Sequence, residues 1–301
     1  MSPAPRRRRC GAMQVHERLL ETYPSYRQNQ ARIDQFTERS IASGLAQRTT
    51  RRVITIPTVV HVVHKRASEN ITKAQIRSQI SVLNRDFRAA NPDKSKVPAA
   101  WQGLVGNANI KFALATKDPK GKRTDGITRT KTDRSSFGPD DSVKSVSSGG
   151  ANPWPAKRYL NLWVCNLDDG LLGYAQFPGG PPRTDGVVIL YSAFGTQGAA
   201  RAPFNLGRSA THEIGHWLNL RHIWGDTMDC TSGDRIPDTP NAAGPNFGKP
   251  TFPHITCNNG PNGDMFMNYM DYVDDAAMVM FSDGQVTRMN AALAGPRSSF
   301  A

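Results

Sequence analysis

Apolar positions along the chain fall into strand-like and helix-like patterns. Residues 53–63 are rich in β-branched side chains and predict a strand. Residues 109–115 alternate apolar and polar, and 159–165 and 186–191 are short apolar runs, so these predict three more strands. Thr72 with Gln75 has the spacing of a capping box and predicts a helix running to about residue 88. Ser282 with Gln285 repeats that signal, and Gly295-Pro296 ends the helix it opens. A further helix is predicted to start near Asn205. Residues 12–46 are polar and helix-prone, broken at Pro24, with sparse apolar positions (Val15, Leu19, Leu20, Ile33, Phe36). They read as a lightly packed accessory segment, and 43–52 as an exposed linker. Residues 117–157 read mostly as loop, and 223–264 as an irregular stretch crowded with Gly, Pro, Asn and Asp. So long a loop is usually functional or pinned. Strands and a helix come first, then an irregular half with a terminal helix, which predicts an α+β fold.

Length and composition bound the picture without changing it. The 301 residues suit one large domain, or one domain with an extra segment, and 38% hydrophobic content is enough for a core. No apolar run is long enough to cross a bilayer. The formal net charge is +13, and residues 1–52 hold eleven Arg against four acids, so +7 of it lies there. No nucleic-acid motif with interleaved aromatics accompanies that charge, so a solvated tail is expected and a nucleic-acid partner is not. Arg6 to Arg9 form a charged head with no apolar stretch behind it, which is not a complete secretory signal. Either a signal has been removed or the protein stays inside. Cys230 and Cys257 share one Gly/Pro/Asn-rich region and could staple it; Cys165 lies in an apolar run and reads as a buried free thiol; Cys10 sits among arginines.

The chemistry concentrates in His212-Glu213-Ile214-Gly215-His216-Trp217-Leu218-Asn219-Leu220-Arg221-His222. His212 and His216 are four apart and project from one face of a helix. Glu213 can reach a water activated by the metal. His222, beyond the helix, completes a three-histidine zinc set with one position open, which suits a catalytic rather than a structural ion. Ordinary surface histidines are the bland alternative, but Ile214, Trp217 and Leu218 make the helix apolar, and buried imidazoles need partners. Zinc lowers the pKa of a water and polarises a carbonyl, and Glu213 can carry the proton to a leaving amine. For the chain to turn toward His222, a residue near the helix end should be left-handed, and Asn219 tolerates this best after glycine.

These residues resemble the metzincin metallopeptidase signature, His-Glu-x-x-His-x-x-Gly-x-x-His followed by a Met-turn. Asn219 replaces the glycine, and Asn268-Tyr269-Met270-Asp271-Tyr272 is similar to the Met-turn. Within the metzincins the chain resembles the pappalysin/cytophagalysin family, over nearly its whole length from Cys10 to the last helix. The resemblance implies a twisted mixed sheet and active-site helix in an upper subdomain (53–222), and an irregular lower subdomain (223–301) with the terminal helix. It implies His212, His216 and His222 as zinc ligands, Glu213 as general base, Met270 as the floor beneath the metal and Tyr272 as oxyanion stabiliser. Taken alone, Met270 and Tyr272 read as ordinary core packing.

The same resemblance implies that Arg9-Cys10-Gly11 is a cysteine switch, whose thiolate fills the open zinc position of a latent zymogen. Neighbouring arginines should favour the thiolate. Residues 1–52 would then be a pro-segment, an intramolecular inhibitor released by cleavage between residues 48 and 53. The resemblance also implies calcium bound near Asp234, Asp238 and Thr239, and a Cys230–Cys257 disulfide; Ala277 stands where a second family disulfide would have its cysteine. Gly173-Tyr174-Ala175 would be the rim strand that pairs with an extended substrate. Relatives that cut before Lys or Arg carry an acid shortly after the Met-turn. Asp274 and Asp275 are nearby, but Met278 falls close to that place and speaks against a basic preference.

The combined expectation is a secreted, monomeric zinc endopeptidase acting on protein or peptide substrates. Its rivals are a catalytically inactive metal-binding protein or a polyanion-binding protein on the same scaffold.

Overall fold

The computed structural model describes residues 5, 7–46 and 52–301; residues 48–51 of the expected cleavage stretch lie outside them. Six strands form one sheet: β1 (Ile54–His64), β2 (Ile110–Leu114), β3 (Ile127–Lys131), β4 (Leu160–Cys165), β5 (Gly173–Ala175) and β6 (Val187–Leu190). The spatial order is β2-β1-β4-β6-β5. The first half of β1 pairs with β2 and its second half with β3, both parallel. β1–β4 and β4–β6 are parallel, and only β5 runs antiparallel, along β6. The sheet is therefore mixed, and β5 is its edge. Every residue of β4 and β6 is buried, as expected of parallel strands covered on both faces. Along β4, Leu160, Leu162 and Val164 face the larger core cluster, whereas Trp163 and Cys165 join a second one on the opposite face.

The helices are α1 (Ala12–Thr22), α2 (Pro24–Ala42), α3 (Lys73–Asp86), α4 (Arg208–Trp217) and α5 (Asp283–Ala294). Pro24 opens α2 at a position where its missing N–H is not needed. Ser282 and Gln285 form the full capping box at α5. At α3 only half of the expected box forms. Thr72 accepts from the Gln75 backbone, but the Gln75 side chain donates instead to Tyr191 O and Phe194 O at 3.0 and 2.8 Å. β3 lies in a polar stretch and was not legible as a strand, whereas β5 occupies Gly173 to Ala175, where the resemblance implied a rim strand.

The N-terminal segment departs from its expected light packing. Val15, Leu19 and Tyr26 belong to the second core cluster, against Trp163, Leu172 and Tyr174. α1 lies against α2 and β5, and α2 against α5. Among the described residues no helix is long and apolar enough to cross a membrane.

Candidate metal centre and cleft

α4 lies against β5 and β6 and carries His212, Glu213 and His216, all buried. It begins at Arg208, not at Asn205. Its N-terminus is capped from afar: Asp275 Oδ2 accepts from Leu206 N at 2.8 Å and Arg208 N at 3.3 Å. Asn219 has φ +74°, the left-handed turn its position required, and this brings His222 back under the helix.

The three Nε2 atoms face one point. They stand 3.2 Å (His212–His216), 3.3 Å (His212–His222) and 3.1 Å (His216–His222) apart. A tetrahedral zinc with Zn–N of about 2.0–2.1 Å needs ligand separations of about 3.3 Å, so the donor set fits this ion. Each Nδ1 is engaged from behind by an oxygen: His212 by Tyr269 O at 2.7 Å, His216 by Leu220 O at 2.8 Å, and His222 by the Asp226 carboxylate. Carbonyls and carboxylates only accept, so each Nδ1 donates and each Nε2 lone pair points inward. Burial, then the neighbouring imidazoles, hold His212 well below the ordinary histidine range and His216 at about 3, which keeps both rings neutral.

Cys10 stands beside this set. Its sulfur and the three histidine nitrogens lie within 4.8 Å of one another, and among the described residues this is the one cluster of three or more His, Cys, Asp or Glu side chains able to hold a metal. The backbone around it pairs with the edge strand: Leu172 N donates to Arg9 O and Gly11 N to Gly173 O, both at 2.9 Å. The thiol donates to Glu213 Oε2 at 3.2 Å. Burial pushes Glu213 up to about 8. Before a metal binds, burial, then the charge of Glu213, pushes the thiol well above its ordinary value, and the neighbouring arginines do not offset this. Those arginines are occupied elsewhere. Arg9 donates to Asp169 O at 2.6 Å, and Arg7 lies over the Phe247 ring.

Arg8 is 2% exposed, an unusual fate for an arginine in a polar tail. It donates to Asp275 Oδ1 at 2.7 Å, Ser209 Oγ at 3.1 Å and Val273 O at 3.2 Å, and its guanidinium lies over Phe204. Asp275 is thus the acid of a pocket that holds a cation beside the metal centre. Met278 is buried in the core, and the acid that meets Arg8 is Asp275, three residues earlier.

Met270 is fully buried against α4: a Cβ at Gly215, between Glu213 and His216, would collide with its sulfur. Gly173 is constrained likewise, since a Cβ there would come within 2.7 Å of Val188 O and 2.9 Å of Glu213 Cγ. Tyr272 is close enough to Cys10 to feel its charge, and its ring centroid lies 4.9 Å from that of His222. Cys230 and Cys257 form a disulfide, and Cys165 is free and buried.

The expected calcium residues take other partners. Asp234 Oδ1 accepts from Ile236 N at 3.0 Å and Thr239 Oγ1 at 2.6 Å, while its buried Oδ2 has no partner. Asp238 accepts from Ser282 Oγ and Gly284 N, both at 2.7 Å, at the start of α5. Reading the sequence missed Asp226, Arg8 and the packing role of Gly215, and named Asp275 only together with Asp274. Asp226 carried a spacing signal, four residues after His222; nothing distinguished Arg8 within its arginine run.

The sheet, the three-histidine helix-and-turn and the buried methionine against it define a metzincin-type metalloendopeptidase. The chain matches the model of the pregnancy-associated plasma protein-A peptidase family over residues 145–294. It is 30% identical to an extracellular metalloprotease of Pyricularia oryzae, covering 95% of this chain and 88% of that one. It is 32% identical to an extracellular metalloprotease of Verticillium alfalfae, covering 84% of each. Among solved structures, mature mirolysin of Tannerella forsythia with a cleaved peptide is 53% identical, with a TM-score of 0.81 over 82% of this chain and 95% of that one. A promirolysin variant from the same organism is 48% identical, with a TM-score of 0.88 over 97% of both. The chain belongs to this pappalysin family of metallopeptidases.

Proposed function

We propose that the protein is a secreted zinc endopeptidase made in latent form, with residues 1–52 as pro-segment and 53–301 as catalytic domain. The observation that carries this reading is the convergence of Cys10 Sγ with the three histidine nitrogens beside Glu213. His212, His216 and His222 would hold the zinc, with Cys10 closing the set in the latent form. A bound zinc supplies Lewis acidity, acidifying a water and polarising the scissile carbonyl.

The chain's own residues do the rest. Glu213 takes a proton at its carboxylate and hands it to the leaving amine; a carboxyl raised by burial is suited to both roles. The Tyr272 hydroxyl, now beside the Cys10 segment, would be free to donate to the developing oxyanion once that segment leaves. β5 offers its free edge to an extended peptide, the edge that Arg9 to Gly11 now occupy. The Asp275 pocket, filled by Arg8, favours arginine or lysine in the substrate.

Two comparisons support the latent form and the location. The promirolysin variant aligns with 97% of the chain, against 82% for the mature form, and the curated relatives named above are extracellular. A disulfide also suits an oxidising compartment. Calcium at Asp234, whose Oδ2 has no partner, stays part of the proposal; Asp238 and Thr239 would reach it only by giving up their present bonds. The enzyme would act as a monomer on proteins or peptides, without nucleic acid.

The test is hydrolysis of a peptide library by the zinc-loaded protein after activation, with product termini sequenced. Cleavage before basic residues, abolished in Glu213→Ala with zinc retained, supports the proposal. Undiminished turnover by that variant refutes the base, and cleavage indifferent to arginine refutes the pocket.

A further inference from the structure

We propose that the cleft reads two successive cations, the second on the aromatic face of Phe247, so that paired basic residues directly after the scissile bond are preferred. The inference rests on the reading of the protein as a peptidase with Asp275 in its first pocket.

The N-terminal segment crosses the cleft extended, tied to the edge strand by two backbone hydrogen bonds. Neighbouring side chains of an extended chain point to opposite sides. Arg8 enters the Asp275 pocket, whereas Arg7, one residue further from Cys10, places its guanidinium 5.1 Å from the Phe247 ring centroid. That is within the range of a cation–π contact. Arg7 is exposed, so burial does not force it there.

Phe247 is 37% exposed, a large apolar ring left facing water at the cleft. It is nonetheless fixed. Its ring lies 6.1 Å from Tyr272, which lies 4.7 Å from Trp224, which stacks on His222 at 4.4 Å. The next residue, Gly248, is bridged to Val273, and its carbonyl accepts from Asp274 N at 2.8 Å. The aromatic plate and the Asp275 pocket are therefore held in register by the same short segment.

The order along the cleft is metal centre, pocket, plate. The protein fixes that order, so it holds whichever way an occupant's backbone runs. A substrate whose first residue after the cut fills the Asp275 pocket sets its next residue over Phe247. The chain carries such a pair itself, Arg51-Arg52, inside the expected activation stretch.

The experiment compares kcat/KM for peptides identical except for Arg-Arg, Arg-Leu or Arg-Ala after the cut, using the activated full chain, Phe247→Leu and Phe247→Trp. The unsubstituted protein should prefer Arg-Arg over Arg-Leu by about two- to fivefold, the size of an exposed cation–π contact. Phe247→Leu should bring that ratio close to one, and Phe247→Trp should keep or raise it. Taking a ratio cancels any general effect on Tyr272 or folding. A ratio at or below one in the unsubstituted protein, or an unchanged ratio in Phe247→Leu, overturns the inference. In that case cleavage before Arg in the Arg-Ala peptide still upholds the Asp275 pocket. If no peptide is cut before Arg, the pocket reading fails and this inference with it.

Discussion

The thiol of Cys10 donates to the carboxylate of Glu213 at 3.2 Å, so one side chain stands both among the three histidine nitrogens and on the carboxylate we propose as general base. Removing it should unmask both. We predict that Cys10→Ala raises peptidase activity of the full-length protein by about tenfold or more, because an open coordination position is what a catalytic zinc requires. Arg8 would still hold the segment in the cleft, so Cys10→Ala with Arg8→Ala should be more active than either alone. A fluorogenic peptide assay on the uncleaved chain decides; unchanged latency in Cys10→Ala contradicts the switch.

Asp226 is the carboxylate behind His222. Such a partner fixes the tautomer and orientation of its ligand, and its loss typically weakens metal binding by about 10–100-fold. Asp226→Ala is expected to lose zinc to a competing chelator in that range while keeping its fold by circular dichroism. An unchanged zinc affinity would show that the contact does not hold the ring.

Asp275 has two tasks: Oδ1 holds the Arg8 guanidinium and Oδ2 caps α4. Asp275→Asn keeps an acceptor for one task and removes the charge needed for the other. Breaking a buried charged pair costs about 2 kcal/mol or more, roughly 30-fold. The expected outcome is a loss of that size in kcat/KM for arginine peptides, with much less for uncharged ones. Equal losses on both would assign Asp275 a structural role only.

Much of this site was legible in the sequence because its parts lie close together there. The spacing of His212, Glu213 and His216 places them on one helical face wherever the helix sits, and Asn219 had to be left-handed for His222 to return. What was not legible depends on distant pairings. The cap of α4 comes from Asp275, 67 residues away, and the partner of Arg8 lies 267 residues away. No local pattern in Arg6 to Arg9 marks one arginine for burial. β5 is only three residues long, and the resemblance rather than its own pattern marked it as a strand. The α+β class followed from the longer apolar runs, while β3 was hidden because its residues are only partly buried and read as loop.

Burial pushes the Asp234 carboxyl up to about 7. In the folded state it then holds a proton between about pH 4 and 7 that the unfolded chain has released. Its contribution to stability is full below about pH 4 and lost as pH rises through 7. Asp234→Asn keeps the acceptor used by Ile236 and Thr239. Without calcium, it should be more stable than the unsubstituted protein at pH 8, by up to about 4 kcal/mol, with the gap closing near pH 4. Added calcium should stabilise the unsubstituted protein and not the variant. Melting temperatures across pH, with and without calcium, check both statements; no calcium response in either protein removes this site.

The most direct measurement is zinc-edge X-ray absorption of the full-length protein beside Cys10→Ala. The account predicts about one sulfur at ~2.3 Å with three nitrogens at ~2.0–2.1 Å in the full-length protein, and only nitrogen or oxygen neighbours in the variant. Absence of bound zinc, or a full-length spectrum without sulfur, would contradict it.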